Sequence, residues 1–462
     1  MTTPRTLSRA SGDGRPPAPV RIVHLGLGNF FRAHQAWYTE HAPDAAEWGI
    51  AAFGGNRSVL SDSLAAQDGL YTLLVRDAEQ DRPEVVASLS AVHGGGDLDA
   101  LRAYLSSPAV CIVTTTVTEA GYLRTDTGAL DVADPLVVAD LAALRSDPMG
   151  ALVRTAPGKL VAGLVARRVA DAGPITLLPC DNVPDNGPML ARVVRELAEL
   201  VDPALPAWID ANVSVATTMV DRITPRSTPQ DERSLADRTG IDDPCLVVTE
   251  PFTEWVIAGQ FPAGRPQWEA VGVRFVEDIV PFETRKLWLL NGSHSLMAYA
   301  ASIAGHETVY DAVADPVVRG WVQQWWDDAA RQLDFPPAEV AAYRAALLQR
   351  FANPGIRHLL AQIAADGSQK LPIRIVPTLL AERAVGRMPA GATRAVAAWV
   401  AHLRGHGAPV TDAKADEVMR LIAGADADDE AVEAVLGWLG IHDSAVTDVV
   451  LEQYREMVGS GR

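Results

Sequence analysis

Cysteine and long apolar runs are scarce in this sequence, and each scarcity excludes a class of protein. The 462 residues contain three cysteines, scattered and without a C-x-x-C pair. This excludes a disulfide framework or a cysteine zinc site and indicates reduced thiols in a cytoplasmic protein. No run of about 18 uncharged apolar residues occurs, and the polar, proline-rich start of the chain lacks the apolar core of a secretion signal. Neither a membrane span nor secretion is expected.

Basic residues are outnumbered by acidic ones, 40 against 58, which gives a formal net charge of −18. Such a surface repels nucleic acid and anionic membranes, so neither is an expected partner. A small anionic substrate stays open, because a local pocket can be cationic within an acidic protein. The 48% hydrophobic content excludes a disordered chain. Nothing in the sequence indicates the oligomeric state.

Lysine is also scarce compared with arginine. Only four of the 40 basic residues are lysines, namely Lys159, Lys286, Lys370 and Lys414. Because lysine changes its pKa readily and arginine does not, each lysine in a chain that otherwise uses arginine is a candidate for chemistry.

Hydrophobic patterning divides the chain into three parts. Residues 1–19 are predicted to be a flexible arm, residues 20–280 a Rossmann-type, doubly wound α/β domain, and residues 281–462 a mostly α-helical domain. The predicted strands are 21–25, 48–53, 71–75, 85–90, 110–116, 175–178, 213–219, 246–249 and 271–276. The predicted helices after residue 280 are 281–304, 311–333, 337–351, 377–384, 392–404, 416–422, 429–439 and 444–458.

The first predicted strand runs into a Gly26-x-Gly28 turn and the start of a helix. Glycines at such a turn let a pyrophosphate approach backbone N–H groups at a helix N-terminus. The third glycine of the usual fingerprint is absent, and Phe31 stands there. An ordinary strand–turn–helix is the alternative, but the position in the first βα unit favours cofactor binding.

The end of the second predicted strand lacks the carboxylate that normally holds the ribose of NAD. Asn56 is a candidate for the ribose, and Arg57 for a 2′-phosphate. NAD is therefore expected with NADP as the alternative, unless Arg57 is only a solvated loop residue.

Four polar residues fall on one side of the predicted apolar helix 281–304. With about 100° per residue, Glu283, His294 and Asn291 lie about 60°, 80° and 140° from Lys286. Polar groups on such a helix are expensive to bury without a function, although a solvated face is the alternative. Desolvation of a half-buried lysine lowers its pKa, which suits a general base.

Polar residues also follow two predicted strands, at Cys180-Asp181-Asn182 and at Asp221. Ligands usually lie at the carboxyl ends of strands in an open α/β sheet. Capping of the loops by these side chains is the alternative.

These segments together resemble the long-chain polyol dehydrogenase family, which includes mannitol 2-dehydrogenase, D-arabinitol dehydrogenase and fructuronate reductase, that is, mannonate oxidoreductase. The resemblance extends from about residue 20 into the C-terminal helices. The motifs that carry it are Gly26-x-Gly28-x-Phe30-x-Arg32-Ala33-His34, Cys180-Asp181-Asn182, Met219-Val220-Asp221-Arg222-Ile223, Glu250-Pro251-Phe252-x-x-Trp255-Val256 and Lys286-x4-Asn291-x2-His294.

The resemblance implies metal-independent hydride transfer between a nicotinamide and a sugar carbinol. It makes Lys286 the general base, Asn182 and Asn291 the oxyanion hole, His294 the residue that orients substrate hydroxyls, and Glu283 the gate for proton exchange. The residues then predicted to bind the cofactor are Gly26, Gly28, Asn29, Phe30, Arg32, Asn56, Arg57, Thr116 and Asp221.

The sequence motifs point to two branches of the family, which differ in substrate class. The segments 351–354 and 362–374 resemble the fructuronate reductase branch, where Lys370 and Arg374 would contact a substrate carboxylate beside Asp181. Segment 376–378 instead resembles the mannitol branch. An aldonate or keturonate is slightly favoured, and mannitol 2-dehydrogenase or D-arabinitol dehydrogenase activity is the alternative. A catalytically silent nucleotide-binding protein is the alternative of another class.

Overall fold

A computed structural model describes residues 4–55, 59–425 and 427–459. The chain forms two compact units, Met1–Ile279 and Val280–Arg462, which are described in turn. Among the described residues, no helix has both the length and the apolar sequence that crossing a membrane would require.

A six-stranded, wholly parallel sheet forms the centre of the first unit. Its order is β5-β2-β1-β6-β7-β8, the order of a Rossmann fold, which confirms the predicted fold class. The strands of this unit are β1 Val20–Leu25, β2 Gly49–Phe53, β3 Tyr71–Val75, β4 Arg82–Val86, β5 Leu89–His93, β6 Ile112–Thr115, β7 Ile175–Pro179, β8 Val213–Val215, β9 Thr217–Asp221, β10 Val247–Thr249, β11 Glu254–Ala258 and β12 Arg274–Phe275.

Apolar clusters cover both faces of this sheet. Along β1, Val23 and Leu25 belong to one cluster and Ile22 to the other, as alternating side chains of a strand require. Because both faces of the sheet are buried, the sequences of its strands are nearly continuous apolar runs. The helices of the unit are Asn29–Ala33, Gln35–His41, Val59–Ala66, Leu98–Leu105, Pro135–Ser146, Ala156–Ala170, Asn186–Val201, Leu205–Asn212 and Pro229–Thr239.

Two small sheets, β10-β3-β4 and β12-β11-β9, complete the unit, and here the strand predictions were partly wrong. The predicted strand 213–219 is two strands in different sheets, β8 and β9, which are separated at Ala216. Ala216 is buried, and Gly259 packs so closely on it that a Cβ at Gly259 would lie 2.6 Å from the alanine Cβ. The predicted strand 85–90 divides between β4 and β5, where Ser88 Oγ donates to Ala36 O at 2.8 Å. Strand β11 was not predicted.

The described part of the predicted arm, residues 4–19, has fixed contacts with the first unit. Leu7 is buried, and Arg9 Nη2 donates to Leu89 O at 2.9 Å. Residues Arg9–Ser11 form one turn of 3₁₀-helix. This segment therefore lies against the sheet instead of extending from it.

The second unit is helical throughout its described residues. Its central helix, Ala390–Leu403, is buried except at Ala390 and Arg394, and its many alanines allow neighbouring helices to approach. The helices are Val280–Arg285, Ser293–Leu296, Val309–Ala314, Pro316–Ala330, Pro337–Phe351, Leu360–Ile363, Gly367–Arg374, Val376–Ala384, Ala390–Leu403, Ala415–Ala423, Asp428–Trp438 and Ser444–Gly459, with π-helical turns at Lys286–Gly292 and Met297–Ala301.

One helix prediction in this unit was wrong, and another is confirmed as a helix but with a different pattern of hydrogen bonds. The predicted helix 311–333 is two helices, because Asp315 accepts a hydrogen bond from Val317 N at 2.8 Å and so begins a new helix with Pro316 at its first position. The predicted helix 281–304 changes between α- and π-helical hydrogen bonding along its length.

Candidate active site

The order of the strands reverses between β1 and β6, which leaves a crevice at their carboxyl ends. The last residues of these two strands, Leu25 and Thr115, lie opposite each other. Gly26 follows with φ 114°, and a side chain there would collide with the backbone of Thr116. Thr116 N donates to Leu25 O at 2.9 Å, and Thr116 Oγ1 donates to Gly26 O at 2.6 Å. The predicted glycine turn is thus fixed to the neighbouring strand, at the point where such sheets bind dinucleotides.

A buried histidine supports this turn from the β1 side. His24 is fully buried, with Nδ1 2.8 Å from Thr114 Oγ1 and Nε2 3.1 Å from Thr116 Oγ1. Its ring stacks on Phe31 with centroids 3.4 Å apart. Burial lowers the pKa of His24 to about 3, so the ring is neutral. Phe31, which replaces the third glycine, therefore packs on this histidine and not on the turn.

The helix after the turn, Asn29–Ala33, has Gly28 as its N-cap. Arg32 is buried beneath it, with Nη2 donating to Asn29 Oδ1 at 2.7 Å and Nε to Gly28 O at 3.3 Å. Burial lowers the pKa of Arg32. Phe30 is half-buried and stacks on His34. Among the residues predicted to bind the cofactor, Gly26, Gly28 and Asn29 form the turn and the start of the helix. Arg32 donates hydrogen bonds to Gly28 and Asn29 and so stabilises the turn from the protein side.

The other predicted residues of the first unit lie near the ends of strands. Asn56 and Arg57 fall outside the described residues. Asp221 is buried at the end of β9, opposite Glu254 on β11. Asn182 is exposed, three residues after the end of β7.

Asp181, predicted to contact substrate, is buried and bonded within the first unit. Its carboxylate accepts from Val117 N at 2.5 Å, from Thr115 Oγ1 at 3.2 Å and from the Tyr122 hydroxyl. Desolvation raises the pKa of Asp181 to about 6, against the effect of these donors. The residue joins the loop after β6 to the end of β7 and so fixes the backbone that presents Asn182.

One residue of this region was missed. Asn186 is fully buried, donates from Nδ2 to Asp181 O at 3.1 Å and to Thr218 O at 2.8 Å, and accepts from Thr218 N at 3.0 Å. It thereby joins the ends of β7 and β9. Only its place at the start of an amphipathic helix distinguishes it in the sequence, and that position reads as a helix cap.

In the second unit the predicted Lys286 helix has a different geometry from the one assumed. Lys286–Gly292 is π-helical and Ser293–Leu296 is α-helical. A π-helix pairs residues five apart, so Lys286 and Asn291 are on one face instead of about 140° apart on an α-helical wheel. His294 follows Asn291 by three residues, the spacing of neighbours on an α-helical face. The Lys-x4-Asn-x2-His spacing thus fits a π turn followed by an α turn.

Lys286, Asn291 and Glu283 are each half-buried, with Glu283 on the preceding helix Val280–Arg285. His294 is 8% exposed, and its Nε2 is buried without a hydrogen-bond partner. Its ring lies 5.0 Å from that of His358. A buried polar atom without a partner requires an explanation, and a hydrogen bond to a bound ligand is one that fits the predicted role of His294.

The electrostatic surroundings of His294 are cationic. Burial lowers its pKa well below the usual value, and the positive charges of Arg350, Arg374 and Lys370 lower it further, as protonation of His358 would. Burial also lowers the pKa of His358, so this second ring is neutral at neutral pH. The imidazole of His294 is therefore neutral and able to donate or accept a hydrogen bond at neutral pH.

Two of these basic residues, Lys370 and Arg374, were predicted from the sequence and bond to the protein. Arg374 Nη1 donates to Asn291 O at 3.3 Å and to Ser295 Oγ at 3.2 Å, and burial lowers its pKa to about 10. Lys370 Nζ donates to Ile363 O at 3.1 Å and to Ala365 O, and burial lowers its pKa. Arg350 and His358 were not predicted, because they belong to no motif and have no characteristic spacing from the other candidate residues.

No cluster of three or more histidine, cysteine or acidic side chains with metal-binding geometry occurs among residues 4–55, 59–425 and 427–459. Cys111, Cys180 and Cys245 are buried and free.

Comparison with known proteins identifies the family. The profile of the mannitol dehydrogenase Rossmann domain matches residues 20–270, and that of the mannitol dehydrogenase C-terminal domain matches residues 278–458. The chain belongs to the mannitol dehydrogenase family. It is an oxidoreductase, as the resemblance predicted.

Three similar proteins differ in substrate. A D-mannonate oxidoreductase of Escherichia coli K12 is 38% identical over 91% of this chain and 88% of its own. The crystal structure of a D-sorbitol dehydrogenase in substrate-free form has a TM-score of 0.90 at 29% identity, over 99% of both chains. Pseudomonas fluorescens mannitol 2-dehydrogenase, in a ternary complex with NAD and D-mannitol, has a TM-score of 0.76 at 33% identity, over 100% of this chain and 94% of its own. NAD as the cofactor agrees with that complex.

Proposed function

We propose that this protein interconverts an aldonate with its keturonate, of the mannonate and fructuronate type, using NAD and no metal. The glycine turn fits the cofactor, because Gly26 lets the turn lie directly against Thr116, and the space beside Gly28 at the helix N-terminus is open, with Gly26 O at 3.7 Å from a Cβ placed there. When bound there, the nicotinamide exchanges a hydride with the substrate carbon. The buried, free thiols favour action in the reducing cytoplasm.

The remaining chemistry belongs to side chains of this chain. Lys286 removes the proton of the substrate alcohol during oxidation and returns it during reduction. The amides of Asn182 and Asn291 donate hydrogen bonds to the oxygen that becomes an alkoxide, without placing a permanent charge beside the base. Neutral His294 orients substrate hydroxyls through Nε2. Glu283, one helical turn before Lys286, exchanges the proton with solvent.

The cationic surroundings of His294 support the choice of a carboxylate substrate. Three charged side chains, Arg350, Lys370 and Arg374, all act on this buried ring in the same direction. A nearby carboxylate on the substrate would be stabilised by their combined charge, which a neutral polyol would not use. The 38% identical D-mannonate oxidoreductase supports the same choice.

Parallel assays of NADH and NADPH oxidation with fructuronate, tagaturonate, fructose and xylulose test this proposal. We expect the highest kcat/KM with NADH and fructuronate. A higher kcat/KM with fructose or xylulose would instead favour mannitol 2-dehydrogenase or D-arabinitol dehydrogenase activity, to which the mannitol complex points. Cofactor binding without reduction of any of the four sugars would indicate a silent nucleotide-binding protein.

A matched variant tests the carboxylate separately. Lys370→Gln keeps a donor for the carbonyl of Ile363 and removes only the charge. We expect a higher KM for fructuronate and an unchanged KM for fructose. Equal changes for both sugars would contradict recognition of the carboxylate by this cationic group.

A further inference from the structure

Two neighbouring tryptophans donate hydrogen bonds to the backbone of the π-helical turn that carries Lys286. Trp325 Nε1 donates to Trp288 O and Trp326 Nε1 donates to Leu289 O, each at 2.9 Å. Both indoles are fully buried and belong to the helix Pro316–Ala330. The donors therefore come from another helix of the same unit.

The two carbonyl groups lie between Lys286 and Asn291 in the chain. Their position matters, because the wider π-helical turn stacks these two side chains and a return to α-helical bonding would separate them. Ser293 Oγ also donates to Leu289 O, at 2.6 Å. External donors to successive carbonyls thus stabilise the backbone of this turn.

The helix with the two tryptophans is held closely on both sides. A Cβ at Gly292 would lie 2.6 Å from Trp325 Cζ2, so only glycine lets the π turn approach the indole. On the other side, Gly391 packs against the backbone of Trp325, and Asp328 Oδ2 accepts from Gly391 N at 2.7 Å. Little freedom remains for the indoles to move away from their acceptors.

We propose that Trp325 and Trp326 are positioning residues, whose indole N–H groups hold Lys286 and Asn291 in their reactive arrangement. The role of these two side chains in turnover rests on the proposed function. Their effect on the position of Lys286 does not rest on it. A measurement that is independent of turnover therefore distinguishes failure of this proposal from failure of the proposed function.

The variants are Trp325→Phe and Trp326→Phe, which remove the N–H donor and keep an aromatic ring. Trp321→Phe is the matched control, since Trp321 lies on the same helix and stacks on Arg394, 5.2 Å from its ring. Each variant is examined by thermal unfolding, by kcat and KM with its pH profile, and by acetylation of lysines followed by peptide mass spectrometry. Only four lysines occur in the chain, and exposed Lys414 is the internal reference.

We expect kcat to fall about tenfold in each variant, equivalent to about 1.4 kcal/mol, with KM unchanged and the pH profile shifted. We also expect acetylation of Lys286 relative to Lys414 to change in both variants and to stay constant in Trp321→Phe. A lower unfolding temperature with unchanged kcat, pH profile and labelling would overturn the proposal. If the parent protein reduces no sugar, the proposed function fails, and the labelling of Lys286 alone decides whether the tryptophans position it.

Discussion

Two buried histidines distinguish the glycine-turn region, residues 24–34, from the Lys286 segment, residues 286–301. Both ring nitrogens of His24 lie within hydrogen-bond distance of threonine hydroxyls. Nε2 of His294 has no partner although it is equally inaccessible. Burial alone therefore does not separate a supporting histidine from a functional one. At His294 the unfilled hydrogen bond lies among the charges of Arg350, Lys370 and Arg374, and a buried polar group without a partner costs about 1–3 kcal/mol unless a ligand completes it.

The pH dependence of stability gives the largest expected difference. Because the pKa of His24 falls from 6.5 to about 3 on folding, the unfolded chain binds the extra proton between these values. The contribution of His24 to stability is complete above pH 6.5 and is lost as the pH falls, by up to about 5 kcal/mol in total. His24→Phe should reduce the pH dependence of the free energy of urea unfolding by about 1.4 kcal/mol per pH unit between pH 6 and 5. An unchanged slope would contradict a buried, neutral His24.

Removal of the other histidine should affect turnover instead. His294→Phe keeps a ring against those of Phe351 and His358 and removes the ring nitrogens, so we expect the unfolding temperature to stay close to that of the parent. We expect kcat/KM with fructuronate to fall about 100-fold, equivalent to about 2.7 kcal/mol of transition-state stabilisation. Steady-state kinetics and calorimetry on the same sample check both. The comparison fails if stability falls and kcat/KM does not.

The smallest expected effect concerns the glycine turn. Thr116→Val removes the hydroxyl that donates to Gly26 O and contacts His24. Loss of one such bond should weaken NADH binding by about 1 kcal/mol, or about fivefold in Kd, and leave kcat unchanged. Fluorescence titration with NADH measures it, with the exposed Thr118→Val as control. A lower kcat with normal NADH affinity would place Thr116 in the chemistry instead.

The difference between these regions also explains what the sequence could predict. The parallel strands and the glycine turn follow from local hydrophobic patterning and from Gly26, whose backbone only glycine adopts easily. The π turn does not, because its apolar residues are the same as those of an α-helix. Its bonding is stabilised by Trp325 and Trp326, which are distant in the chain.

The residues of the candidate site also differ in how far the sequence could predict them. Residue types and spacing make Lys286, Asn291 and His294 candidates, and their roles stay a prediction. No local signal indicated that Arg32 and Asp181 bond inside the first unit. Likewise, Arg350 adds its charge to the surroundings of His294, and His358 places its ring beside it, only through the packing of separate segments. Long-range contacts decide which polar residues are left open to a ligand.

The central claim is that the chemistry depends on Lys286 while the glycine turn binds the cofactor without it. Single-turnover oxidation of bound NADH by fructuronate, measured in Lys286→Ala beside NADH affinity, tests this most directly, with the exposed Lys414→Ala as control. We predict a rate about 10⁴-fold lower than in the parent, with NADH affinity unchanged and Lys414→Ala normal. A Lys286→Ala rate within about tenfold of the parent, a loss worth about 1.4 kcal/mol at most, would contradict Lys286 as the base.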